Sequence, residues 1–153
     1  HYTNGFALRE ILRSGVVRAG AWFTTKQDWD YTANKTVLDP ETLRYRRISR
    51  EETAQFFGGL ARIGVEDEYL GLLTFKKAVK KGLVPRNTLK QLVRYAESVE
   101  SRPHEEWGLA VEPTPVAAWR AVEFFWLGKW RPTDEINPDE VVDMPPEALW
   151  KTE

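Results

Sequence analysis

The chain of 153 residues contains no cysteine, so no disulfide and no thiolate metal site can contribute to its stability or chemistry. The absence of cysteine favours a reducing compartment. The sequence also lacks any run of about eighteen apolar residues, the length that a membrane helix needs, and it lacks a charged and then apolar leader. These absences predict a cytoplasmic protein with no membrane partner.

Histidine is scarce as well, since the chain holds only His1 and His104. A leading histidine could chelate copper together with a second imidazole. Such copper sites belong to disulfide-stapled secreted sandwiches, which a cysteine-free chain does not resemble. The sequence therefore favours chemistry without a bound metal.

Aromatic residues are abundant: seven tryptophans and seven phenylalanines in a chain that is 42% apolar can build one compact core. The net charge of −1 hides an asymmetry, because residues 131–153 hold seven acidic residues against two basic ones, and four prolines. That segment also lacks apolar periodicity. We expect a single α+β domain over residues 1–130, followed by an extended, acidic, proline-containing tail over residues 131–153.

Short elements alternate through the first half of the chain. After "HYT", Asn4 can cap a helix that Gly15 ends. The segments "VVRAGAWFTT", "ETLRYRRI" and "ARIGV" have the β-branched and aromatic content of strands. Ser49 and Glu52 stand at capping-box spacing, which predicts a short helix that fails at Gly58.

The second half gives a stronger helical signal. Thr74 can cap and Gly82 can end one helix, and "NTLKQLVRYAESVES" places its apolar residues on one face of another. The segments "EEWGLAVEP" and "AAWRAVEFFWLGKW" are typical of strands, the second turning near Leu127 and Gly128. The order of elements predicts an α+β fold with a mainly antiparallel sheet and packed helices.

The opening of the chain resembles a known family. A strand with histidine, an aromatic residue and threonine, then "LREILRSG", then a strand ending in "AWFTT", is similar to the N-terminal half of ADP-ribosyltransferase-fold proteins. The likeness is to their His-Tyr-Glu branch and to the DNA-modifying toxins, and it covers roughly the first 35 residues. It implies a split sheet and NAD as a substrate.

The resemblance also implies roles for particular residues. His1 would hold the dinucleotide, with Thr3 on the same strand face lining the pocket. Thr24 or Thr25 would supply a hydroxyl near the nicotinamide ribose, and Tyr31 would stack on the nicotinamide ring.

The same resemblance calls for an acidic residue late in the chain. Glu106 is the expected catalytic carboxylate because it leads into a strand, with Glu105 and Glu123 as alternatives. Breaking the bond between nicotinamide and ribose develops positive charge on the ribose, which a carboxylate held close stabilises. These residues together predict a mono-ADP-ribosyltransferase, of the toxin or effector kind found in bacteria and phages, that modifies a protein or a nucleic acid.

Two alternatives stay open. The chain could keep this scaffold without turnover and bind a partner through its tryptophan-rich surface and acidic tail. It could instead bind or process nucleic acid through its basic residues, which fall in two groups. These groups are Arg44, Arg46, Arg47 and Arg50, and Lys76, Lys77, Lys80 and Lys81.

Overall fold

The computed structural model describes residues 1–135, which form eleven strands and five α-helices. The strands are β1 (Tyr2–Asn4), β2 (Val16–Val17), β3 (Trp22–Thr24), β4 (Thr36–Asp39), β5 (Arg44–Arg47), β6 (Leu60–Val65), β7 (Leu72–Thr74), β8 (Trp107–Ala110), β9 (Thr114–Pro115), β10 (Trp119–Trp126) and β11 (Lys129–Pro132). The helices are α1 (Gly5–Ser14), α2 (Arg50–Phe56), α3 (Phe75–Lys80), α4 (Arg86–Ser98) and α5 (Pro103–Glu106). Two short 3-10 turns cover Tyr31–Ala33 and Val116–Ala118.

Two antiparallel sheets form the body of the fold. One has the strand order β1-β6-β10-β11 and the other β3-β8-β7, while β2 pairs with β9 and β4 pairs with β5. The two main sheets meet where Nδ1 of His1, just before β1, lies 2.9 Å from the carbonyl oxygen of Trp22 on β3. The predicted α+β class with mainly antiparallel pairing is confirmed.

One apolar core joins both main sheets, because it includes Phe23 on β3 and Ala110 on β8 as well as residues of the four-stranded sheet. Smaller clusters lie between the three-stranded sheet and its helices. Helix α1 lies against the four-stranded sheet, where Leu8, Leu60 and Phe124 are fully buried. Helix α3 packs on the three-stranded sheet through Phe75, and α4 adds Ala96 to the same cluster. Burial of these apolar side chains holds the two main sheets in place. It thereby fixes the strand edges that face the space between the sheets.

The structure confirms the predicted helix caps and the predicted turn between the last two strands. Asn4 Oδ1 accepts a hydrogen bond from the amide of Ala7 at 3.0 Å, and Gly15 ends α1 with a positive φ of 69°. Ser49 and Glu52 form both bonds of the capping box at the start of α2. The residues after β10 turn into β11 with positive φ at Leu127 and Gly128, as the sequence predicts.

Two predictions about elements were wrong, and three strands were not predicted. The segment "VVRAGAWFTT" is two strands in different sheets, because the chain turns at Gly20, where φ is 83°. The start of "EEWGLAVEP" is not strand, since Glu105 and Glu106 belong to helix α5, which Pro103 opens. The strands that were not predicted are β4, β7 and β9.

The last described strand crosses the expected boundary between domain and tail. Strand β11 runs to Pro132, two residues into the predicted tail, and pairs with β10. The rest of that tail, residues 136–153, lies outside the described residues. None of the helices within residues 1–135 has the length and apolar character to cross a membrane.

Candidate functional site

A cavity of about 370 Å³ opens where the two main sheets meet, and we call it the main cavity. Its volume lies in the range of about 300–1,000 Å³ that is typical of small-molecule sites. Polar side chains from both sheets and from the segments beside them line its wall: His1, Thr24, Thr25, Arg62, Glu106 and Glu123.

Small residues leave the space for this cavity. Gly64 on β6 stands directly opposite Ala121 on β10, and both line the cavity. Gly108 on β8 lines it from the other sheet. Because none of these residues has a side chain larger than a methyl group, the sheets can approach without filling the gap between them.

His1 presents a hydrogen-bond acceptor at this site. Its Nδ1 lies 2.9 Å from the carbonyl oxygen of Trp22, and a carbonyl can only accept, so Nδ1 carries the proton. The lone pair is therefore on Nε2. Burial lowers the pKa of His1, the hydrogen bond to Trp22 opposes that shift, and the charge of Lys35 adds to it. The ring is neutral near neutral pH and able to accept from a hydroxyl.

The lowered pKa of His1 predicts how stability depends on pH. The unfolded chain takes up this proton below the ordinary pKa of 6.5, and the folded protein resists it. The contribution of His1 to the free energy of unfolding is thus fully present above pH 6.5, and it is lost as the pH falls toward the lower pKa of the folded protein. Urea unfolding at about pH 7.5 and about pH 5.5 should give a smaller free energy of unfolding at the lower pH, and a weaker pH dependence in His1→Gln. Equal pH dependence in the two proteins would contradict the assignment.

Glu123 is held rigidly in the wall of the main cavity. It lies on β10 directly opposite Arg62 on β6, and Arg62 Nε donates to Glu123 Oε2 at 2.6 Å. Both side chains are 20% exposed. Arg62 is fixed in turn because it donates to the carbonyl of Gln27 and its guanidinium lies 4.6 Å from the ring centroid of Trp130. The carboxylate therefore sits on a sheet with its orientation set.

The other two candidate carboxylates are held in different ways. Glu106 lines the main cavity, but its Oε2 accepts the backbone amide of Arg102 at 2.9 Å and so caps its own short helix. Glu105 is exposed and forms an ion pair of 3.4 Å with the side chain of Arg102. Both side chains stand on helix α5, at the rim of the cavity.

Two threonines, one at the end of β3 and one in the loop after it, lie side by side at the cavity. Thr24 and Thr25 both line the main cavity. Thr24 Oγ1 accepts the amide of Lys26 at 3.3 Å, and the amide of Thr25 donates to the carbonyl of Glu106 at 3.1 Å. The second contact ties the loop to α5.

Thr3 and Tyr31 are not brought to this cavity. Thr3 is buried in β1 opposite Ala61 and is not part of the cavity wall. Tyr31 is 45% exposed on a 3-10 turn outside the cavity wall, where its carbonyl accepts the hydroxyl of Tyr95 at 3.3 Å. The structure thus gathers His1, Thr24, Thr25 and the three glutamates, but not the aromatic platform that the resemblance implies.

A second cavity of about 350 Å³, which we call the side cavity, shares His1 with the main cavity. Asp30, only 3% exposed, lines it. The Oδ2 of this carboxylate accepts Ser101 Oγ at 2.9 Å and Trp107 Nε1 at 3.1 Å, and its Oδ1 accepts both the amide and the hydroxyl of Thr32. These bonds tie the 3-10 turn to α5 and β8.

Removing one donor of this network should destabilise the protein measurably. Trp107→Phe deletes a bond to a buried carboxylate, and we expect the free energy of unfolding to fall by about 2 kcal/mol in a urea titration. Trp119→Phe is the matched control, because that indole donates to the backbone carbonyl of Thr114, and its cost should stay below about 1 kcal/mol. Equal costs would mean that the Asp30 network adds nothing beyond an ordinary hydrogen bond.

The sequence did not point to Arg62, and Glu123 was predicted only as an alternative to Glu106. Arg62 is the one charged residue of β6, "LARIGV", and Glu123 stands between apolar residues of β10, in "AVEFFW". A charge in such a position is rarely buried unless it is paired. That pattern could have predicted that Arg62 and Glu123 form an ion pair with each other.

Comparison of the chain with protein-family models, with curated proteins and with solved structures finds no match. The likeness of the opening to ADP-ribosyltransferases therefore stays a prediction. Within residues 1–135, no group of three or more histidine, aspartate or glutamate side chains is placed to hold a metal ion.

Proposed function

We propose that this protein is an NAD-dependent mono-ADP-ribosyltransferase that modifies a macromolecular acceptor. The observation that carries the proposal is the meeting of His1, Glu123 and the two threonines around one cavity between the sheets. A neutral imidazole and a fixed carboxylate are the groups that cleavage of a nicotinamide-ribose bond calls for.

The reaction would divide the work between these groups. His1 Nε2 accepts a hydroxyl of the dinucleotide and fixes its position. As the bond from ribose C1′ to the nicotinamide nitrogen breaks, the bond electrons leave with nicotinamide and positive charge develops on the ribose. The Glu123 carboxylate stabilises that charge. The acceptor then forms the new bond to C1′ and loses its proton to the solvent.

Glu123 is a better candidate for this carboxylate than Glu106. Its strand is central in the four-stranded sheet, and Arg62 fixes its orientation. Glu106 has one oxygen committed to the amide of Arg102 on a helix of only four residues. Electrostatic catalysis requires groups that need no reorganisation at the moment of reaction, which favours the carboxylate on the sheet.

The proposal is tested by adding NAD to the whole chain. Binding should raise the melting temperature progressively as NAD increases through the millimolar range, and nicotinamide should be released when acceptor, or water in its place, is present. Nicotinamide release is followed by chromatography, with nicotinamide mononucleotide as a control for the contribution of the adenylate half. If NAD neither shifts the melting temperature nor yields nicotinamide, the proposal is wrong.

One observation favours nucleic acid as a binding partner. Lys76, Lys77 and Lys80 are exposed on helix α3, and Lys81 is exposed directly after it. The helix begins just after Thr74, a residue of the main cavity wall. A lysine face beside the cavity could contact phosphates.

The arginine group gives less support to that second function. Arg50 is 8% exposed and is paired with Asp28 at 3.1 Å, and Arg46 is paired with Glu52 at 2.9 Å. Binding of a fluorescent single-stranded oligonucleotide that weakens steeply with added salt would support nucleic-acid recognition. If neither NAD nor oligonucleotide binds, a non-catalytic partner protein is the remaining hypothesis.

A further inference from the structure

The side cavity has the walls of a site for a planar ring. Trp22 from β3, Ala33 from the 3-10 turn, and Leu92 and Tyr95 from α4 all line it. These side chains are apolar or aromatic over most of their surface. A cavity of about 350 Å³ with such walls accommodates an aromatic ring system better than a chain of polar groups.

Arg47 stands at the mouth of the side cavity in a fixed position. Its guanidinium carbon lies 4.0 Å from the ring centroid of Tyr95. One nitrogen, Nη1, donates to the carbonyls of Thr32 and Asn34, both at 3.0 Å. Arg47 also forms a side-chain hydrogen bond with Tyr95. An arginine has five N–H donors, so these contacts hold the fork in place and still leave donors for a phosphate.

The charges around Arg47 favour an anion. Lys35, which is half-buried, has a pKa lowered first by burial and then by the positive charge of Arg47. Lys35 in turn lowers the pKa of His1. Within residues 1–135, neither Arg47 nor Lys35 forms an ion pair with a carboxylate. The one acidic side chain of the cavity wall, Asp30, has both oxygens occupied by four hydrogen bonds from neutral groups.

We propose that the side cavity is a binding site for a nucleoside 5′-phosphate, with the base between Trp22, Leu92 and Tyr95 and the phosphate on Arg47. The shared chemistry is a planar base joined to an anionic phosphate. It fits either the adenylate half of NAD or a nucleotide of an acceptor strand. This inference deepens the proposed function and rests on it for its biological meaning, although binding itself requires no transfer.

The test compares AMP with adenosine on the whole chain by isothermal titration calorimetry. In the wild-type protein, AMP should bind about tenfold more tightly than adenosine or better, because the phosphate gains charge-assisted hydrogen bonds from Arg47. In Arg47→Gln the two ligands should bind with equal affinity. Equal binding of AMP and adenosine to the wild type, or a preference for AMP that persists in Arg47→Gln, overturns the inference.

A matched control is available on the same strand. Arg44 is also exposed on β5, but it lies three residues away and therefore on the opposite face of the strand. Arg44→Gln removes the same charge and should keep the preference for AMP. Arg47 also holds the 3-10 turn, so its loss could weaken the binding of both AMP and adenosine. The ratio of the two affinities does not change when both weaken equally, and the test therefore uses that ratio.

Further measurements separate this inference from the proposed function. AMP binding that depends on Arg47 without nicotinamide release from the wild type would leave the inference standing and contradict the proposed function. Nicotinamide release without a preference for AMP would support the proposed function and contradict the inference about the side cavity. Displacement of AMP by NAD would identify the dinucleotide as the source of the phosphate, and displacement by an oligonucleotide alone would identify the acceptor.

Discussion

Replacing Glu123 by glutamine is expected to slow nicotinamide release from NAD by roughly 100- to 1,000-fold, the cost of losing one preorganised electrostatic group. The amide keeps the shape and the hydrogen-bonding oxygen of the side chain but has no negative charge to oppose the developing charge on the ribose. Binding of NAD in the ground state should change little, because the carboxylate acts mainly on the transition state. Steady-state rates and a calorimetric dissociation constant for NAD check both halves of this expectation.

Glu106→Gln is the control for that experiment. It removes the same charge from the wall of the same cavity, but from helix α5. We expect turnover to stay within about threefold of the wild type, which is too small a change for a catalytic charge. If Glu106→Gln abolishes turnover and Glu123→Gln does not, the catalytic role belongs to Glu106, as the resemblance first implied. Glu123→Gln also removes the ion pair between Glu123 and Arg62. The melting temperatures of both variants must therefore be measured, so that a loss of turnover is not confused with a loss of folding.

Gly5→Ala is expected to destabilise the protein by about 3 kcal/mol or more, which lowers the melting temperature by roughly 10 °C. Gly5 is the first residue of α1, and its amide donates to the carbonyl of Gly59 at 3.1 Å. A Cβ at this position would overlap the carbonyl oxygen of Gly58 and lie 3.2 Å from the ring of the buried Phe124. The obstacle is backbone, so it cannot turn aside as a flexible side chain would.

The effect of Gly5→Ala should reach the main cavity. Strand β1 runs directly into α1, so a helix pushed away from the sheet also moves the strand that places His1.

Gly64→Ala is the control for the loss of stability, because a Cβ there would meet the side chain of Ala121 at an ordinary 3.5 Å. Thermal unfolding should show a loss at least about 2 kcal/mol larger for Gly5→Ala than for Gly64→Ala. Similar melting temperatures would mean that α1 can shift without cost.

Features that depend on neighbours within a few residues were predictable from the sequence. The caps at Asn4 and at Ser49, and the turn at Leu127 and Gly128, all join atoms that are close along the chain. Such interactions form in the same way whatever the rest of the chain does. The fold class followed from them, because the order of helices and strands limits the ways in which their apolar faces can be covered.

Features that depend on distant segments were not predictable in this way. Composition could not reveal that "VVRAGAWFTT" divides between two sheets, since that division depends on Gly20 bonding to Ala110. The choice among three glutamates had the same difficulty. Glu106 and Glu123 both line the main cavity, and only the pairing of β6 with β10 shows that Arg62 fixes Glu123.

The sequence by itself determined the local elements and the α+β class, because propensity, capping and hydrophobic pattern act over a few residues. The candidate site residues came from the resemblance of the opening to a known family. The tertiary structure alone decided which of these residues meet. It brought His1 to Thr24 and Glu123, kept Tyr31 outside the main cavity, and set Arg47 against Tyr95. The physical reason is that these contacts join segments far apart in the chain, and the packing of two sheets and their helices fixes the geometry between them.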